Sequence, residues 1–121
     1  GKFVEMTKVD ALAASFGTVH GIYAEKPRLD FQRIEDIKEI TKTPLVMHGG
    51  SGLSREDYTS AIAKGIRKIN YYTYMSREAV FAAKELINRQ ESILFHDIAL
   101  AAVKAMKEDS EKAMKVFYKI P

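Results

Sequence analysis

Apolar residues follow two different patterns, which alternate along the chain. Three short apolar runs, residues 9–16, 44–48 and 66–70, predict buried strands because they show little of the period-two alternation of a half-exposed strand. Residues 31–40 carry Phe or Ile at every third position, which predicts a helix with one apolar stripe. The alternation of strands with helices predicts parallel strands joined by right-handed crossovers.

Polar residues next to these segments predict where the helices begin and end. Asp30 is a suitable N-cap for the helix that follows it. Ser54 and Asp57 form a capping-box pattern ahead of a short helix that is expected to stop near Gly65. Ser76 is expected to cap a further helix.

The proportion of strands to helices indicates how these segments are organised. Residues 1–7 are interpreted as the end of a helix, and residues 91–121 as a helical extension that Asp109 and Ser110 interrupt or cap. An open sheet of three parallel strands leaves two edges exposed and buries too little helix surface. We therefore expect an α/β fold in which residues 1–90 form the last βα units of a larger barrel, with residues 91–121 as an extension of the same domain.

Composition narrows the class of protein. An apolar content of 46% with 29% charged residues is typical of a folded globular domain. The formal charge of +3 is too small to predict nucleic-acid binding. No apolar run approaches the roughly 20 residues of a membrane helix, and no signal-peptide pattern opens the chain. With no cysteine, disulfides and thiolate metal sites are excluded and a cytoplasmic location is expected.

Two histidines follow neighbouring strands at the end where α/β barrels carry their functional residues. His20 lies in a Gly-Thr-Val-His-Gly segment after the first strand, and His48 ends the second. Because adjacent strands lie about 4.8 Å apart, the two imidazoles can converge on one metal ion. Alternatively, each is a hydrogen-bonded structural residue. A catalytic zinc site has three protein ligands, so two histidines do not complete one. His96 is interpreted as structural or at the surface.

A glycine-rich segment directly after His48 suits a phosphate group. Gly49, Gly50 and Ser51 place backbone N–H groups, a hydroxyl and a helix start close together. Asn70 and Thr73 follow the next strand, and each can donate a hydrogen bond to a phosphate or a hydroxyl. The alternative is a tight turn after the strand, with Asn70 and Thr73 as ordinary loop and cap residues.

Together these segments resemble the C-terminal part of the class II, metal-dependent ketose-bisphosphate aldolases. The resemblance rests on four motifs in order: V-D-A-L-A-x-x-x-G-T-x-H-G, x-L-D-F-x-R-I-x-x-I, P-L-V-x-H-G-G-S-G and G-I-x-K-I-N-x-x-T. It covers residues 1–90 continuously and the helical tail more loosely. It implies a (β/α)8 TIM barrel to which this chain contributes about the last three βα units and the tail.

The family's activity gives each motif an expected role. The resemblance implies reversible aldol cleavage of fructose- or tagatose-1,6-bisphosphate to dihydroxyacetone phosphate and an aldehyde, with Zn²⁺ polarising the carbonyl. His20 and His48 match two zinc ligands. A monovalent cation, Na⁺ or K⁺, is a further cofactor that the resemblance allows. The positions that match the substrate-binding residues of the family are Gly21, Gly49, Gly50, Ser51, Asn70, Tyr71, Tyr72 and Thr73.

Two departures from the family pattern limit what this chain is expected to do. The family's first zinc histidine, its aspartate acid/base and a further glutamate precede the matched segment, so the chain carries no catalytic residue and is expected to be inactive alone. Many fructose-bisphosphate members have acidic residues where Tyr72 and Tyr74 stand, which leaves the sugar open.

The expected partners are a phosphorylated sugar, the remainder of the barrel and further copies in a homo-oligomer, with neither nucleic acid nor membrane. One alternative function is a non-catalytic sugar-phosphate-binding or assembly module from a truncated barrel. Another is a phosphate-binding barrel without metal.

Overall fold

The computed structural model describes residues 1–118, which form helices and strands in alternation. In chain order the elements are α1 (Lys2–Thr7), β1 (Leu12–Ala13), α2 (Phe31–Thr41), β2 (Leu45–Met47), α3 (Arg55–Lys64), β3 (Ile66–Ile69), α4 (Thr73–Arg89) and α5 (Phe95–Phe117). None of the helices within residues 1–118 combines the length and apolar content of a membrane-spanning helix.

The three strands form one parallel sheet in the order β1-β2-β3, as the alternating pattern predicted. Leu12 of β1 lies opposite Leu45 of β2, which in turn lies opposite Ile66 of β3. The strands are shorter than the apolar runs, most of all β1, which keeps two of the eight residues in the predicted run. In this sheet β1 has a hydrogen-bonded neighbour only on the β2 side, and after Ala13 the chain leaves the ladder for the His20 loop.

The predicted caps of α2 and α3 are confirmed. The Arg33 amide donates to Asp30 Oδ1 at 2.9 Å, so Asp30 is the N-cap of α2. At α3 the Asp57 amide donates to Ser54 Oγ at 3.1 Å, and the Ser54 amide donates back to the Asp57 carboxylate at 3.2 Å. Gly65 ends α3 with a φ of 139°. These two helices therefore begin and end where local side-chain chemistry satisfies their terminal backbone groups.

Two predicted helix boundaries are wrong. Ser76 is not an N-cap, because α4 begins at Thr73 and the Ser76 amide donates to the Tyr72 carbonyl at 2.9 Å within the first turn. Asp109 and Ser110 do not interrupt α5, which runs unbroken from Phe95 to Phe117. The Ser110 hydroxyl lies 2.9 Å from Met75 Sδ, so α4 gives that side chain a partner and the helix continues past it.

The residues divide into two compact units, Gly1–Tyr71 and the segment from Tyr72 onward. The core of the first unit is made of Phe16, Ile34, Leu45, Met47, Leu53, Tyr58, Ala61 and Ile66. In the second unit α4 packs along α5, and neither helix has a fully buried residue. Helix α4 thus groups with α5, although the sequence placed it among residues 1–90; that predicted organisation into barrel units and an extension stays a prediction.

Candidate functional site

The two histidines meet at the carboxyl ends of adjacent strands. His48 directly follows β2, and His20 lies in the loop after β1. His20 Nε2 is 3.3 Å from His48 Nδ1, and the two rings stand edge to face with centroids 5.4 Å apart. Both side chains are exposed. The parallel pairing of β1 with β2 therefore places two imidazole nitrogens where a single small ligand or ion can contact both.

The backbone of the His20 loop touches the backbone of the segment after His48. Gly49 has a φ of 65°, and a Cβ atom built there would lie 2.3 Å from the Val19 carbonyl oxygen. Any side chain at this position would collide with a main-chain atom, which cannot rotate away as a flexible side chain can. Gly49 is thus required for the close approach of the two loops that carry the histidines.

Two tyrosine hydroxyls donate hydrogen bonds to carbonyl groups of the glycine segment. Tyr23 donates to the Gly49 carbonyl at 2.7 Å and accepts from the Val19 amide at 3.3 Å. Tyr58, which is buried in α3, donates to the Gly50 carbonyl. Neither tyrosine was expected from the sequence. A buried tyrosine hydroxyl normally needs a partner, so the position of Tyr58 on the inward face of α3 could have indicated a hydrogen bond. Tyr23 lies in a loop with no regular spacing, and no such pattern indicates its contacts.

These contacts fix which way the amides of the glycine segment face. Residues 1–118 contain no cis peptide bond. In a trans peptide the carbonyl oxygen and the next amide hydrogen point in opposite directions. The Gly50 amide hydrogen therefore points away from the Tyr23 hydroxyl, and the Ser51 amide hydrogen points away from the Tyr58 hydroxyl. Gly50 and Ser51 are buried, and α3 starts four residues after Ser51.

Asn70 lies on the other side of His48. Its backbone amide donates to the Met47 carbonyl at 2.9 Å and continues the parallel ladder past β3. Its side-chain nitrogen lies 3.0 Å from His48 Nδ1 and 2.9 Å from His48 Nε2, while its side-chain oxygen accepts from the Lys68 ammonium. Lys68 thereby turns the amide so that its N–H donors face the histidine.

The remaining residues singled out in the sequence lie in the His20 loop, at the end of the first unit or in the second unit. Gly21 has a φ of 95°, and nothing lies within 4 Å of a Cβ built there. Tyr71 is half-buried at the end of the first unit, whereas Tyr72 is exposed and Thr73 is the first residue of α4, both in the second unit. His96 is exposed, with Nε2 3.4 Å from the Asp97 carboxylate.

A cavity of about 400 Å³ opens beside the histidine pair. Its lining combines small apolar side chains with two hydroxyls and the two imidazoles: Ala13, Ala14, Ser15, Thr18, Val19, His20 and His48. Within residues 1–118, no three His, Cys, Asp or Glu side chains come close enough together to hold a metal ion. The described part of the chain therefore brings two imidazoles together beside this cavity.

Comparison with known proteins gives one consistent family. The model of the family described as class II fructose-bisphosphate aldolase matches residues 1–120. The Escherichia coli K12 protein YdjI is 37% identical over 116 residues, which are 96% of this chain and 40% of YdjI.

Solved structures agree with this result. The crystal structure of the YdjI aldolase superposes with a TM-score of 0.84 at 36% identity, over 96% of this chain and 42% of that one. A candidate fructose-1,6-bisphosphate aldolase from Coccidioides immitis has the same TM-score at 27% identity, over 96% of this chain and 40% of that one. The chain spans about two fifths of the length of these relatives, and the predicted fold class, a C-terminal portion of an α/β barrel, is confirmed.

Proposed function

This chain belongs to the class II fructose-bisphosphate aldolase family, and from that premise we propose that it supplies the metal-binding and phosphate-binding half of a zinc-dependent lyase. The proposed reaction is the reversible aldol cleavage of a ketose bisphosphate, fructose- or tagatose-1,6-bisphosphate, to dihydroxyacetone phosphate and an aldehyde. The remaining strands of the barrel would complete the site in the whole enzyme.

The separation of the two imidazole nitrogens carries the proposal. Zinc binds histidine nitrogen at about 2.0–2.1 Å with tetrahedral angles, which holds two ligand nitrogens about 3.3 Å apart. His20 Nε2 and His48 Nδ1 are 3.3 Å apart. The separation of the two nitrogens therefore matches that of two ligands of one zinc ion. The third protein ligand would come from the part of the barrel that precedes the matched segment in the family.

The glycine segment is the proposed phosphate site. The Gly50 and Ser51 amides have fixed directions, and the segment leads into the N-terminus of α3, which favours a negative charge. Asn70 adds side-chain N–H donors beside His48. Gly21, Tyr71, Tyr72 and Thr73 are proposed as further substrate contacts on the family pattern alone.

The arrangement suggests separate roles for a bound metal ion and for the residues of this chain. The chemistry that a zinc ion supplies when bound at such a site is polarisation of a substrate carbonyl. The chain's own contribution is orientation, since a phosphate held at Gly50 and Ser51 would fix the distance from the phosphate to the carbonyl beside the histidines. No proton-transfer role is proposed for this segment, and by itself it is expected to be inactive.

Histidine substitutions with a matched control test the proposal. In the whole enzyme, His20→Ala and His48→Ala should each abolish tight zinc binding and lower kcat/KM by at least about 100-fold, because an outer partner of a metal site alone is worth 10–100-fold. His96→Ala removes an exposed imidazole in α5 and should change neither value. Zinc affinity is measured by chelator competition, and activity by coupled detection of the triose phosphate.

Removal of the metal provides a second test of the proposed function. EDTA should abolish cleavage and added Zn²⁺ should restore it. Full activity in metal-free enzyme would contradict the proposal, as would unchanged zinc affinity in both histidine variants. Binding of a sugar phosphate without cleavage in a zinc-loaded complete barrel would instead favour the non-catalytic binding module.

A further inference from the structure

We propose that Tyr23 is a positioning residue that sets the separation of His20 and His48, and thereby the metal affinity of the site. The inference rests on the proposed function, since it concerns the zinc ion that the two histidines would hold. Tyr23 lies in the same loop as His20 and matches none of the motifs. Its role follows from the two backbone groups that its hydroxyl joins.

The Tyr23 hydroxyl connects the residue next to one histidine with the residue next to the other. It accepts from the amide of Val19, which directly precedes His20. It donates to the carbonyl of Gly49, which directly follows His48. One oxygen atom thus uses both its donor and an acceptor site to join the two loops, and it does so one residue away from each imidazole.

The backbone contact between Val19 and Gly49 is already as close as it can be. The Val19 carbonyl packs against the Cα of Gly49, where there is no room for a Cβ. Packing of this kind stops the loops from moving closer together but does not stop them from separating. The Tyr23 hydrogen bonds resist separation, so packing and hydroxyl together define one distance.

That distance matters because metal ligation tolerates little error. The fit of His20 Nε2 and His48 Nδ1 to a tetrahedral ion holds only near their observed 3.3 Å separation. Side chains that orient metal ligands from outside the coordination sphere typically change metal affinity by 10–100-fold when they are removed. Tyr23 acts on the ligand backbones instead of on the imidazoles, and the same range is expected.

Tyr58 provides an informative contrast. It also donates to a carbonyl of the glycine segment, but to Gly50, and its hydroxyl reaches that carbonyl from α3. Loss of this hydroxyl should disturb the direction of the Ser51 amide and leave the Val19–Gly49 contact in place. The two tyrosines are therefore expected to act on different properties: Tyr23 on metal affinity and Tyr58 on the KM for the phosphorylated substrate.

The test compares three Tyr→Phe variants of the whole enzyme. Tyr23→Phe should weaken zinc binding at least about 10-fold in chelator competition and change the visible absorption of the Co²⁺-loaded protein, which reports ligand geometry. Tyr58→Phe should raise KM and keep the zinc affinity. Tyr118→Phe, at a side chain that is 78% exposed, should match wild type in every measurement. A residue that only supported the fold would not move the Co²⁺ spectrum.

A second measurement needs no variant. Coupling between two sites is reciprocal, so if the Tyr23 hydrogen bonds favour zinc, zinc must favour those hydrogen bonds by the same factor. Hydrogen exchange at the Val19 amide in wild-type protein should therefore slow about 10-fold when zinc is added. This arm remains informative even if Tyr23→Phe does not fold.

The outcomes separate this inference from the proposed function. If wild type binds zinc tightly but Tyr23→Phe binds it equally well with an unchanged Co²⁺ spectrum, the role of Tyr23 is overturned and the aldolase proposal stands. If the Val19 amide exchanges at the same rate with and without zinc, the role is likewise overturned. If wild type itself binds no zinc, both proposals fail.

Discussion

Replacing Gly49 with alanine should break the contact that joins the two histidine loops. The new Cβ would lie 2.3 Å from the Val19 carbonyl oxygen and 2.6 Å from its carbonyl carbon, whereas ordinary contacts begin at 3.4 Å. The loops would have to separate by about 1 Å. Alanine in the left-handed region costs about 1–2 kcal/mol, and forced overpacking adds about 1–3 kcal/mol. The expected loss is therefore about 2–5 kcal/mol in the free energy of unfolding.

Gly21→Ala is the matched control for the stability measurement. Gly21 also has a positive φ, at 95°, but a Cβ there meets nothing within 4 Å. Only the backbone cost of about 1–2 kcal/mol applies to it. At roughly 4 °C per kcal/mol, the melting temperature should fall by about 8–20 °C in Gly49→Ala and about 4–8 °C in Gly21→Ala. Thermal unfolding followed by far-ultraviolet circular dichroism measures both.

The difference between the two variants is what tests the reasoning. If Gly49→Ala melts at the same temperature as Gly21→Ala, the Val19 carbonyl does not press against Gly49 and the account of the joined loops is wrong. A Gly49→Ala protein with wild-type stability would refute the backbone argument as well.

Further substitutions test the fold and its electrostatics. Ser54→Ala removes the N-cap of α3 and should cost about 0.5–2 kcal/mol in urea unfolding. Ile34→Ala, at a side chain with 0% exposure, should cost about 2–5 kcal/mol; Ile40→Ala, 67% exposed on the same helix, should stay within about 0.5 kcal/mol, and equal losses would contradict the assigned core. The hydrogen bond from Lys42 lowers the pKa of Glu39 below its ordinary 4.5, so the carboxylate stabilises the fold above that pH and ceases to do so as the pH falls through the lowered pKa. The melting temperature of wild type should thus exceed that of Glu39→Gln at pH 7 and converge with it in acid; a constant difference would argue against the pairing.

Local chemistry explains why much of the fold could be predicted from the sequence. Asp30 and Ser54 satisfy backbone groups within three residues of themselves, so their roles depend on nothing distant. The predictions for Ser76 and Ser110 are wrong because serine also occurs inside helices, where its amide bonds to the preceding turn or its hydroxyl finds a partner on another helix. In both cases the error lay in treating a local preference as a boundary.

The candidate site could be predicted only in part, for a related reason. That His20 and His48 lie near the same edge of the sheet follows from strand order, because parallel neighbours end at the same edge. The position of Tyr23 follows from the path of residues 14–30, which form no helix or strand. No periodicity describes such a loop, so its contacts have to be observed.

The contact at Gly49 has an evolutionary consequence. Its partner at residue 19 is a carbonyl group, which every amino acid possesses, and the Val19 side chain itself is 56% exposed. This contact therefore requires glycine at residue 49 and places no requirement on the side chain at residue 19. Two positions that touch this closely would then show no correlated substitution, and a contact that brings two histidine loops together would leave no trace in covariation between them.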